Sequence, residues 1–151
     1  MKYILIFLLV LVFFACKTYN ETDKQNFQST IENYIDSLSL DFQVLENGLY
    51  YNIINKGDSG FGKIKPTDRI TFTYIGSFLD GEVFQEIDKN EPITFKVIEL
   101  ISGWQDGLSM ISKNGEIELI IPPHLAYGDK KTGLIPPNSI LKYKLKILEV
   151  E

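Results

Sequence analysis

From residue 49 to the end, the sequence keeps a two-residue period and breaks it once. Residues 69–78 alternate, with Ile70, Phe72 and Tyr74 on one face and Thr71 and Thr73 on the other. Residues 141–150 alternate again: Leu141, Tyr143, Leu145 and Ile147 point inward, and Lys142, Lys144 and Lys146 outward. Residues 49–54, 92–97 and 116–121 read as further strands. Asp80-Gly81 is a hairpin turn signal, with Glu82-Val83-Phe84 starting the return strand. Only residues 100–111 change to helical spacing, which puts Ile101, Trp104, Leu108 and Ile111 on one side. Many strands around one short helix leave few folds open. The pattern predicts an α+β domain, an antiparallel sheet wrapped over that helix.

The N-terminal third is organised differently. After Met1-Lys2, residues 3–14 are almost wholly apolar, and polar sequence begins at Lys17. About 20 apolar residues are needed to span a bilayer, so this stretch reads as a secretory signal. Ala15 precedes Cys16, the only cysteine among the 151 residues. That junction resembles the lipobox of bacterial lipoproteins. The resemblance implies that residues 1–15 are removed and that Cys16 is diacylated, anchoring the chain to a membrane of the bacterial cell envelope, periplasm-facing or outer. A lone cysteine forms no internal disulfide, and acylation removes an exposed thiol. Two acyl chains suffice for stable anchoring. Residues 16–22 are expected to form a tether. Residues 23–39 should be helical, with Thr22 and Gln25 at capping-box spacing. Phe27, Ile31, Tyr34 and Leu38 would make one apolar stripe, packed on the chain's own domain. Residues 23–48 then form helix and linker, and residues 49–151 the main domain. Net charge is -5, without a clustered basic face, which argues against a nucleic-acid surface.

Three segments carry chemistry. One is Ile101-Ser102-Gly103-Trp104-Gln105-Asp106-Gly107-Leu108. The second is Pro122-Pro123-His124-Leu125-Ala126-Tyr127-Gly128. The third is Gly133-Leu134-Ile135-Pro136-Pro137-Asn138. Together they place the only tryptophan, a tyrosine between small residues and a rigid Pro-Pro turn in one half-domain, which suggests a small apolar cup. Combined with Thr71-Phe72-Thr73-Tyr74-Ile75-Gly76 and Asp80-Gly81-Glu82-Val83-Phe84, they resemble the FKBP-type peptidyl-prolyl cis–trans isomerases over most of residues 49–151. The layout of lipid anchor, short helix and one such domain is also similar to small gliding-motility-associated lipoprotein isomerases.

The resemblance implies an FKBP-like, twisted sheet half-wrapped around a short helix, with an extra N-terminal helix and a proline pocket between helix and sheet. Trp104 would form the floor, and Leu100 and Ile101 the helix start. Tyr74, Phe84, Phe95 and Tyr143 would be walls, Tyr127 a hydroxyl donor, and Ile93 and Ile135 parts of the rim. It implies proline-containing polypeptides as substrates, macrolide inhibitors as ligands, and no cofactor or metal. On its own Trp104 reads as a core residue with a satisfied ring N–H; its neighbours assign it to the pocket. Phe72 reads as core, and His124 as a loop residue without a catalytic part.

The chemistry suits such residues. Rotation about an amide costs about 18–20 kcal/mol because resonance must be broken, and uncatalysed prolyl exchange takes on the order of tens to hundreds of seconds. In the twisted transition state the amide is less conjugated and its carbonyl less charged. A dry aromatic pocket disfavours the charge-separated planar form and so favours the twisted one. No nucleophile or proton relay is required. One departure stands out: where the family usually has an aspartate beside the pocket, this chain has Gln85, and no arginine follows in residues 86–90. Gln85 is expected to hydrogen-bond Tyr74 in its place. The departure leaves a second reading open, an attenuated or non-catalytic binding or chaperone module of an envelope or gliding machinery.

Overall fold

The computed structural model describes residues 19–151. The expected signal segment and Cys16 lie outside the described residues. Helix α1 spans Glu21–Ser37, and β1 (Gln43–Val44) and β2 (Tyr50–Asn55) follow. Next come β3 (Arg69–Ser77), β4 (Val83–Ile87), β5 (Ile93–Lys96), helix α2 (Ser102–Leu108), β6 (Glu116–Ile121) and β7 (Leu141–Val150). The strands form one antiparallel sheet in the order β1-β2-β6-β7-β3-β4. Strand β5 shares an edge of β3 with β4: β4 pairs with Tyr74 to Ser77, and β5 with Arg69 to Phe72.

Both long alternating segments behave as their period requires. The β7 residues Leu141, Tyr143, Leu145 and Ile147 are buried, as are Ile70, Phe72 and Tyr74 of β3. Helix α2 is shorter than the 100–111 window. It lies close on β6 because Gly103 and Gly107 face the sheet. A Cβ at Gly103 would stand 2.6 Å from Ile121 Cγ2, and one at Gly107 2.7 Å from Leu119 Cδ1. Two glycines four apart make one smooth helix face, and Trp104 and Leu108 beside them are buried in the core.

Helix α1 covers the other face of the sheet. Ile31, fully buried, joins Tyr50 of β2 and Ile120 of β6 in a second apolar cluster. Ile120 alternates with Leu119 and Ile121, which belong to the main core, so the two clusters lie on opposite faces. Tyr50 also donates a 3.2 Å hydrogen bond to Glu32 of α1. Its phenol is pushed up to about 12, by burial first and then by that carboxylate. The stripe therefore packs on its own domain, except that Leu38 falls beyond the helix and is exposed. The cap lies two residues earlier than Thr22. Asn20 accepts from the Asp23 N–H at 2.8 Å and Asp23 accepts from the Asn20 N–H at 3.2 Å, a reciprocal box built from shorter side chains. Among the described residues no helix is long and apolar enough to cross a membrane.

Candidate active site

A cavity of about 230 Å³ lies between α2 and the sheet, lined by Phe72 and Tyr74 of β3, Ile93 and Phe95 of β5, Glu99 to Ile101, Trp104, Tyr127 and Tyr143. It is smaller than the roughly 300–1,000 Å³ of drug-sized sites, which suits one ring and its flanking peptide. A larger hollow over Asp41, Gln43, Tyr51 and Lys56 has a mostly polar lining and none of these aromatics.

Trp104 is the centre of the arrangement. Its ring meets Phe72, Tyr74 and Tyr143 edge-on, at centroid separations of 5.4, 5.0 and 4.9 Å. Such T-shaped contacts add about 0.5–1.5 kcal/mol each beyond area burial, so the floor is held rigidly. The indole N–H is buried and has no hydrogen-bond partner. A core tryptophan with a satisfied N–H is therefore not what the structure shows. Leaving such a group unpaired costs about 1–3 kcal/mol, a cost a purely structural position would be expected to avoid.

The polar groups here are chiefly phenols. Burial first, then the charge of Tyr127, pushes the Tyr74 phenol up to about 12. Tyr143 is pushed still further, by burial first and then by Tyr127, with Tyr74 a lesser contributor. All three rings line the cavity. Two of these hydroxyls thus stay neutral well beyond ordinary pH, so they can donate hydrogen bonds without acting as general acids. Tyr127 is only half-buried and follows a short 3-10 turn, Pro123–Leu125, which Pro122 caps; these two prolines fix the direction of the chain. Glu99 accepts a 3.2 Å hydrogen bond from the Lys96 N–H and so caps the turn that delivers Leu100 and Ile101.

The structure brings together Tyr74, Ile93, Phe95, Leu100, Ile101, Trp104, Tyr127 and Tyr143. Phe84 and Ile135 stand behind the lining. Phe84 packs edge-on against Tyr143 at 5.7 Å and beside Phe78 at 5.0 Å. It sits over Gly76, where a Cβ would come within 2.7 Å of its ring. Ile135 is buried in the main core. Gln85 corrects the expectation. It is exposed, lies outside the lining and makes no hydrogen bond to Tyr74. In the β3–β4 ladder Gln85 pairs with Gly76, while Tyr74 pairs with Ile87. Phe72, read as core, and Glu99 also line the cavity. The signal for Phe72 was its place on the same strand face as Tyr74.

Comparison with known proteins points the same way. The family model for FKBP-type peptidyl-prolyl cis-trans isomerase matches residues 61–148. A probable FKBP-type isomerase of Haemophilus influenzae is 36% identical over 114 residues, covering 73% of this chain and 46% of that protein. FkpA of Escherichia coli is 38% identical over 106 residues, covering 69% and 38%. The chain thus spans less than half the length of these relatives. Among solved structures, FkpA from Escherichia coli aligns with a TM-score of 0.73 and 32% identity over 87% of this chain and 62% of the other. AtFKBP13 aligns with a TM-score of 0.64 and 32% identity over 74% and 99%. The antiparallel sheet closed over a short helix, with an additional helix at the N-terminal end, is the fold of these neighbours. The chain belongs to the FKBP-type peptidyl-prolyl cis–trans isomerase family.

Proposed function

We propose that this protein accelerates rotation about Xaa-Pro bonds by taking the prolyl ring onto Trp104, in the cavity walled by Tyr74, Phe95, Ile101 and Tyr143. The observation that carries this is the cavity itself: small, aromatic, held rigid by ring contacts, and closed on its inner side by an indole without a partner. A prolyl ring entering it leaves water, and the planar, charge-separated amide loses solvation that the twisted amide needs less. Tyr127 holds the peptide backbone through its hydroxyl. Macrolides that present a ring of similar shape would compete for the same space.

Gln85 bears little on this reading, since it is exposed, lies outside the cavity lining and makes no hydrogen bond to Tyr74. The non-catalytic alternative then rests on the missing carboxylate at position 85 alone. We also propose that Cys16 carries the lipid anchor, which places the isomerase at a bacterial envelope membrane, where its substrates are exported polypeptides. A service to gliding machinery is one form of that role. The activity is tested by a protease-coupled assay on Xaa-Pro peptides. The expected result is a rate proportional to enzyme and abolished by a macrolide. A folded protein that leaves the rate at the buffer value would overturn the proposal.

A further inference from the structure

The point at which the chain enters the folded domain lies beside the loop that follows Tyr127. Tyr19, the first described residue, is buried, and its hydroxyl donates to Asn138 Oδ1 at 2.7 Å. Its ring packs against Phe27 at 5.5 Å and His124 at 6.3 Å. Asn138 in turn closes the base of the loop, donating its backbone N–H to the Gly128 carbonyl at 2.8 Å. Within that loop Thr132 and Ile135 exchange backbone hydrogen bonds of 3.0 and 2.9 Å. Gly133 takes a positive φ of 56° between them. A rigid two-residue tip results. Ile135 turns into the core, while Leu134 is 76% exposed, the most exposed large apolar residue described. Lys130 and Lys131 in the same loop are exposed as well.

We infer that this loop tip rests on the lipid surface, with Leu134 among the headgroups. The inference rests on the proposal that Cys16 is the anchor. Three peptide steps separate Cys16 from Tyr19, and three residues reach at most about 11 Å. A domain pinned at Tyr19 on so short a leash cannot swing freely, so the surface around Tyr19 and Asn138 must stay close to the membrane. Leu134, at the tip of the loop whose base Asn138 closes there, is the exposed apolar residue which that loop offers. Lys130 and Lys131 flank it with charge that suits anionic headgroups, and Asp129 of the loop and Asp23 of α1 offset part of that charge. Leu134 and the short leash, more than net charge, therefore hold the contact. Because Tyr127 is one residue from Gly128, the contact also fixes one wall of the cavity relative to the membrane.

The test couples the mature chain (residues 16–151) through Cys16, its only thiol, to a maleimide lipid. The vesicles are phosphatidylcholine and phosphatidylglycerol brominated near the carbonyl end of the acyl chains. Leu134→Trp adds one fluorophore to the buried Trp104. Ile54→Trp serves as the control, because the end of β2 pairs with the start of β6, away from Pro122 and His124. The expected result is that Leu134→Trp loses at least half of its added emission in brominated vesicles, while Ile54→Trp and wild type lose little. A Gly/Ser insertion of twelve residues before Tyr19 should return Leu134→Trp to the level of the control. Equal quenching at positions 134 and 54 overturns the contact. So does an absence of quenching accompanied by a raised KM for peptide in Leu134→Ala, which would assign the tip to substrate. Mass spectrometry of Cys16 from native membranes decides the anchor separately: an unmodified thiol overturns the anchor proposal whatever the vesicles show.

Discussion

Gly103→Ala sets two opposing effects against each other within one turn of α2. Alanine is favoured over glycine inside a helix by roughly 0.8–1.0 kcal/mol, and less near a terminus, where Gly103 stands as the second residue of the helix. Against this, the new methyl would lie 2.6 Å from Ile121 Cγ2 and 3.0 Å from its Cδ1. Ordinary carbon contacts are about 3.5–4.0 Å, so a gap of roughly 1 Å must open. Ile121 is fully buried in the main core and cannot turn away. Overpacking of this kind costs about 1–3 kcal/mol. The net expectation is a loss of about 1–2 kcal/mol, which for a domain of this size lowers the Tm by roughly 4–8 °C. Lifting α2 also lifts Trp104, the next residue, so kcat/KM should fall together with stability. Ser102→Ala, at the exposed neighbouring position, isolates the propensity effect and should be neutral or slightly stabilising. Urea unfolding and the peptide assay on all three proteins provide the comparison. If Gly103→Ala were as stable and as active as wild type, the close approach of α2 to β6 would not be what places the cavity floor.

Further outcomes follow from the same geometry. Tyr127→Phe should leave the Tm unchanged and lower kcat/KM by roughly 2- to 12-fold, the value of one hydrogen bond of about 0.5–1.5 kcal/mol. Gln85→Asp should change kcat/KM less than twofold by the same assay; a gain of an order of magnitude would show that the carboxylate matters despite the exposure of residue 85. Ile31→Ala should cost about 2–5 kcal/mol in urea unfolding, yet leave activity per folded molecule intact, because α1 lies on the face away from the cavity. Tyr50 and Tyr74 are held at about 12 against a usual 10, and Tyr143 higher still. A raised phenol adds stability that is complete below pH 10 and lost as pH rises through the folded value. Ultraviolet titration of tyrosinate should therefore show these groups ionising above the exposed phenols, with stability falling between pH 10 and 12 and no decline from this cause below pH 10.

The sequence was legible where period and burial coincide. Strands β6 and β7 keep the bounds read from the sequence, 116–121 and 141–150, and the inward residues of β7 are those its pattern names. Trp104 and Tyr127 were visible as costly residue types in turn-rich surroundings. What escaped depended on neighbours distant in the chain. Phe72 looks like any core aromatic until β5 and α2 leave a hollow beside it. Gln85 was placed beside Tyr74 by resemblance to the family's aspartate; in the structure it is exposed and pairs with Gly76, while Ile87 pairs with Tyr74. The cap of α1 moved for a local reason, since Asn20 with Asp23 closes the same box as the longer pair expected at Thr22 and Gln25. Strand β1 is two residues long, too short to carry a period at all.

The central claim is that the hollow over Trp104 binds a prolyl peptide and turns its bond. Because the chain has one tryptophan, one indole N–H resonance reports on the cavity floor. The direct measurement titrates a cis/trans Xaa-Pro peptide into the protein, follows that resonance, and reads the peptide's exchange rate in the same sample by NMR. The account predicts a saturable indole shift together with exchange far faster than in buffer, both removed by a macrolide. An unmoved indole resonance with exchange at the buffer rate, in a folded protein, would contradict it.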